Sequence, residues 1–128
     1  MKSRLKNMTT KRAMKIKEIL KRAGYFVHVA DTNSVYVEID GKDYRIADHT
    51  KRHQLFGIEK HSFIEDIDTV VCAILREAEE YRYTDALYAS TIVYACYELY
   101  KFFGIQEDAA DMFEIAVEYA RSLAILGA

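Results

Sequence analysis

The sequence predicts an α+β protein. A small antiparallel β-sheet of about three strands follows an N-terminal helix, and a three-helix C-terminal bundle comes after it. Three observations carry that expectation. Apolar residues recur at helical spacing between residues 10 and 23, and two alternating runs flank an Asp40-Gly41 pair. From Ser62 onward the helical period returns, and the 128 residues contain no proline to interrupt it.

The first helix is read over residues 10–23. Thr10 suits its N-cap, and Ala13, Ile16, Ile19, Leu20 and Ala23 share one face. Gly24 is placed to end it, because a residue without Cβ enters the left-handed conformation most easily. Y-F-V-H-V-A then alternates as a strand, D-T-N-S is a turn, and S-V-Y-V-E-I-D-G-K-D-Y-R-I-A is a hairpin. In the helical half, S-F-I-E forms a capping box with Ser62 and Glu65. Ile67, Val70, Val71, Ile74, Leu75, Ala78 and Tyr81 continue it as an apolar stripe. The next helix, about 85–103, leaves only Ser90, Thr91, Glu98 and Lys101 as a polar strip, and Gly104 closes it. Along the last helix, about 107–126, Glu107, Asp111, Glu114, Glu118, Arg121 and Ser122 lie beside another broad apolar arc. A monomer-surface helix needs an apolar stripe of only about 100°. Residues 84–126 are therefore expected to build a homo-oligomer, a dimer or higher.

The chain is expected to be a single domain with a basic part, 1–60, and an acidic oligomerisation part, 61–128. The first holds 14 Lys/Arg against 7 Asp/Glu and the second 4 against 13, so a formal net charge of −2 hides +7 and −9. A basic front half attracts nucleic acid, nucleotides or an acidic protein surface, unless the two halves neutralise each other. The basic N-terminus runs into K-R-A-M-K-I-K-E-I-L-K-R with no uninterrupted apolar block. No signal peptide and no membrane span are expected, and the cytoplasm is the expected location. Cys72 and Cys96 lack a C-x-x-C spacing and are expected to be reduced residues in or near the core.

The two-residue turn predicts the hairpin register. Ile39 faces Lys42, Val37 faces Tyr44 and Val35 faces Ile46 on the core side. Glu38 faces Asp43, Tyr36 faces Arg45 and Ser34 faces Ala47 on the other. That second face gathers Phe26, His28, Tyr36 and Arg45, with Asn33 and Ser34 at its rim. Aromatic rings beside a guanidinium suit a stacked base or a phosphate-bearing ligand. Asp48, His49, Lys51, Arg52 and His53 leave the hairpin on this rim, where they are placed to grip an anion. Those eleven residues are the expected ligand-binding set. The Glu38–Asp43 opposition is a like-charge pair, which ordinarily costs a little.

Catalysis is the less favoured class. There is no glycine-rich phosphate loop and no activated-serine signature, and His49 and His53 alone are a poor basis for zinc. No cofactor, metal or catalytic residue is assigned. Over residues 10–50, the order carried by I-L-K-R-A-G-Y and D-T-N-S-V-Y-V is similar to the HicA-type messenger RNA interferase toxins, whose fold is like that of double-stranded RNA-binding domains. Asn33-Ser34-Val35 stands where those toxins carry Gly-Ser and a catalytic histidine, so the resemblance extends to scaffold rather than to cleavage. The ending Y-R-I-A-D-H resembles the hairpin endings of small phage-encoded counter-defence proteins, including anti-CRISPR inhibitors, with Arg45, Asp48 and His49 matching. These resemblances imply a non-catalytic binding or inhibitory protein, in the host-cell cytoplasm for a phage product. Its hairpin face would take a nucleotide-like anion or a nucleic-acid-handling protein. A double-stranded RNA-binding-like or toxin-related module using basic residues 2–22 is the alternative, and a small metal- or His-dependent enzyme is a further one.

Overall fold

Alternation between apolar and charged residues over residues 10–22 gives a helix with one sealed face. In the computed structural model, which describes residues 10–31, 33–46 and 63–125, this is α1, Thr10–Arg22. Ala13, Ile16, Ile19 and Leu20 are buried on it. Thr10 is its first residue rather than its cap, and the Thr10 hydroxyl donates to Asn33 Oδ1 at 3.3 Å. Gly24 terminates the helix at φ 101°, with the Gly24 N–H donating to the Lys21 carbonyl at 2.9 Å and the Tyr25 N–H to the Leu20 carbonyl at 3.2 Å. Those paired bonds satisfy carbonyls that the helix end would otherwise orphan.

The strands β1 (Val27–Val29), β2 (Val35–Ile39) and β3 (Lys42–Ile46) form an antiparallel sheet in the order β1-β2-β3. Asp40 and Gly41 both have positive φ, 53° and 78°, as a two-residue turn matching the strand twist requires. The register follows: Val35 pairs with Ile46, Tyr36 with Arg45, Val37 with Tyr44, Glu38 with Asp43 and Ile39 with Lys42. The expected Ser34–Ala47 pair involves Ala47, outside the described residues. Val35, Val37, Ile39 and Ile46 are buried, and α1 packs on their side of the sheet against β1 and β2.

The remaining helices are α2 (Phe63–Tyr81), α3 (Ala86–Phe102) and α4 (Gln106–Ile125). The chain separates into two compact units, Met1–Val70 and Val71–Ala128, with the division inside α2 rather than at the change of charge near residue 60. On α2, Ile67, Val70, Val71, Ile74 and Ala78 are buried as the stripe predicts, whereas Tyr81 is exposed. Ser62, the expected cap, lies outside the described residues. Asp85 caps α3 by accepting the Tyr88 N–H at 3.1 Å. Gly104, at φ 77°, ends α3 with the same pair of bonds seen at Gly24.

Within the second unit α3 and α4 pack as an antiparallel hairpin, and the Ser90 hydroxyl donates to the Ala116 carbonyl at 2.8 Å. This packing covers more of α3 than its sequence suggests. Ala86, Ala89, Ile92, Val93, Ala95, Cys96, Leu99 and Tyr100 are all buried within one chain. Small residues on α3 allow that close approach. Cys96 is buried, but Cys72 is exposed and not a core residue, because it falls on the outer side of α2.

Candidate functional site

The face of the sheet turned away from α1 is open. Period-two alternation puts six side chains there in two rows across the strands. One row is His28, Tyr36 and Arg45, consecutive partners on β1, β2 and β3. The His28 and Tyr36 rings lie 6.2 Å apart at 34°. The other row is Phe26, Glu38 and Asp43, joined by the Glu38 N–H donating to the Phe26 carbonyl at 3.2 Å and by the Glu38–Asp43 pairing. Phe26 is 83% exposed and Tyr36 37%.

A shallow groove of about 390 Å³ runs over this face, lined by Phe26, Val27, His28, Tyr36, Val37, Glu38 and Asp43. The expected cluster of Phe26, His28, Tyr36 and Arg45 is thus brought to one surface, but the groove is walled on one side by two carboxylates. Neither was among the expected ligand residues, although their opposition was legible from the Asp40-Gly41 turn. Among the described residues, Glu38, Asp43 and Arg45 form no ion pair. Asn33 and Ser34 are half-buried. Asn33, at φ 68°, ties the β1–β2 connection to α1 through Thr10. Asp48, His49, Lys51, Arg52 and His53 lie outside the described residues.

Two other surfaces carry chemistry. The solvent side of α1 exposes Lys11, Lys15, Lys21 and Arg22. Its acidic residue, Glu18, pairs with Lys15 at 3.0 Å, and that bond holds the Glu18 carboxyl below its ordinary range. In the second unit, Arg82 lies with its guanidinium carbon 4.9 Å from the Tyr83 ring centroid and 4.5 Å from that of Tyr119. It reaches Glu118 at 3.0 Å and Glu79 at 3.6 Å. The Tyr119 hydroxyl donates to Glu79 at 2.9 Å, and the Tyr88 hydroxyl to Glu77 at 3.0 Å. Burial, and then the Glu79 bond, raise the Tyr119 hydroxyl above its ordinary range. The Arg82 Nε is buried without a partner, sealed by the flanking rings. Apart from that nitrogen, the bonded groups staple the end of α2 to α3 and α4.

Among the described residues, no group of three or more His, Cys, Asp or Glu side chains is placed to hold a metal ion. No described helix is long and apolar enough to cross a membrane. No family model matches the chain, and no curated protein or solved structure matches it.

Proposed function

We propose that the chain is a non-catalytic binding protein that attaches through the open face of its sheet to a protein that handles nucleic acid, as an inhibitor of the phage counter-defence type. The single observation that carries this reading is the contrast between the two faces. One is sealed by α1, while the other presents Phe26, Tyr36, His28 and Arg45 to solvent. Exposed aromatic rings grouped with a guanidinium mark contact surfaces, and Tyr and Arg are over-represented among residues that dominate binding energy. Glu38 and Asp43 favour a protein over a free nucleotide-like anion, because they would repel phosphate beside the groove. The counter-defence assignment rests on the resemblance of Y-R-I-A-D-H alone.

The test is capture from nuclease-treated host lysate with the whole chain as bait, comparing wild type with Tyr36→Ala and Arg45→Ala. A protein retained by wild type, lost by both variants and kept by Lys11→Glu is the expected result. A partner kept by both face variants would remove the proposal.

The exposed cations of α1 favour a second reading, a module that tracks a nucleic-acid backbone. There, affinity for a short duplex would fall steeply with salt. Lys11→Glu and Lys15→Glu would weaken it, and Arg45→Ala would not.

We also propose that the second unit pairs with a second copy of the chain. Tyr94, Tyr97 and Phe113 form a ring ladder across α3 and α4, with centroids 5.1 and 5.4 Å apart. Beside it is a hollow of about 370 Å³ lined by Tyr97, Gln106, Ala109, Ala110, Phe113 and Glu114. A protruding ring next to a hollow on one patch is self-complementary, as a two-fold interface requires. Lys101, 5.6 Å from the Tyr97 centroid, and Glu114 at the rim add opposite charges to the same patch.

A further inference from the structure

We propose that the groove bounded by Phe26, Glu38 and Asp43 is the seat of an arginine side chain presented by the protein partner, an inference that rests on the open-face reading above. The Asp40-Gly41 turn leaves the hairpin no freedom in its register, so Glu38 and Asp43 are held directly opposite on adjacent strands. Like charges directly opposite each other on adjacent strands destabilise the pair. No ion pair among the described residues offsets them, although Arg45 belongs to the same strand and face as Asp43. Two carboxylates directly opposite each other carry an electrostatic cost that a bound cation relieves, and relief of that cost adds to the cation's affinity.

The third wall selects among cations. Phe26 is 83% exposed, and its backbone is bonded directly to Glu38. Its ring thus stands on the β1 side of the carboxylates, at an edge of the sheet that a long side chain can reach from solvent. A guanidinium is planar. It stacks on an aromatic face while its fork of N–H groups bonds carboxylate oxygens, and an ammonium offers neither geometry. A hydrated divalent ion would use the two carboxylates but gain nothing from the ring, and two carboxylates are few for a dedicated oxygen cage. An anion is repelled. Nucleic acid carries no guanidinium, so the occupant belongs to a protein. Proteins that bind nucleic acid expose arginines to grip phosphates, and those same side chains fit this groove.

The experiment is an amide-resolved NMR titration of the full chain with N-acetyl-arginine amide, with N-acetyl-lysine amide and adenosine monophosphate as comparators. Arginine amide is expected to shift the Phe26, Glu38 and Asp43 amides saturably, with lysine amide weaker and the nucleotide leaving that row unmoved. Glu38→Gln or Asp43→Asn should each weaken the arginine response by roughly fivefold, the scale of one solvent-exposed ion pair. Without ligand, Glu38→Gln should melt no lower than wild type, since it removes a repulsion. Equal responses to arginine and lysine amides, a titration unchanged by Glu38→Gln, or nucleotide shifts centred on Phe26 would each overturn the proposal. In the capture assay, a partner lost with Tyr36→Ala but held undiminished by Glu38→Gln sinks the arginine seat alone. A partner held by all three variants sinks the open-face reading as well.

Discussion

Ile46 and Arg45 are neighbours on β3 that point to opposite faces, so truncating each to alanine measures what covers each face. Ile46 is fully buried at 0% exposure, on the same side of the sheet as its β2 partner Val35. Ile46→Ala removes three carbon groups. At about 0.8 kcal/mol each, the transfer loss is about 2.4 kcal/mol. An incompletely collapsed cavity raises this to about 3–4 kcal/mol, inside the usual range for such truncations. Arg45 is exposed and makes no ion pair among the described residues, so Arg45→Ala should cost no more than about 0.5 kcal/mol. The chain has two compact units, and a single global transition is not guaranteed. Hydrogen exchange of the Val35, Val37 and Ile39 amides under native conditions reports the sheet directly. Comparable losses of protection in the two variants would refute the reasoning. Arg45 would then be a covered, structural residue, and the open face would not exist in solution.

Sedimentation at micromolar concentration should show a dimer or higher species that Phe113→Asp or Tyr94→Asp converts to folded monomer, and a wild-type monomer would remove the self-association proposal. Leu99→Asp should instead unfold the second unit, because Leu99 is at 0% exposure in its core and a buried unpaired charge is not tolerated. Tyr119→Phe should cost about 1 kcal/mol in urea unfolding by losing the bond to Glu79. Alkaline stability should follow Cys96 and Tyr119. Burial is the leading cause that raises both groups, with the Cys72 thiol adding to it for Cys96 and Glu79 for Tyr119. The native state therefore keeps protons that the unfolded chain releases. The stabilisation is complete below the unfolded thiol value near 9.0, and is lost at up to about 1.4 kcal/mol per pH unit per group as pH climbs toward the folded values. Cys96→Ala should flatten the first part of that decline, and an unchanged profile would contradict the burial of the thiol.

What the sequence determines by itself is what neighbouring residues decide. Asp40-Gly41 admits positive φ at both positions, and a two-residue turn of that kind leaves only one pairing, so every cross-strand partner between residues 35 and 46 was legible. Gly24 and Gly104 end their helices by the same local logic. Helical spacing likewise marked Ile16, Ile19, Ile67 and Ile74 as core. The tertiary structure decides what covers each surface. Periodicity showed α3 to be apolar over a wide arc, but only the packing of α4 and the close approach allowed by small residues show how much of that arc one chain already buries. The grouping of Arg82 with Tyr119, Glu79 and Glu118 joins residues up to 40 positions apart, which no local pattern encodes. Glu38 and Asp43 could be read as an awkward pair, yet their place beside an exposed Phe26 depends on β1 joining the hairpin and on α1 taking the opposite face. Hydrophobic burial is non-directional along the chain, so the sequence names which side chains seek cover, and the assembled fold selects which ones find it.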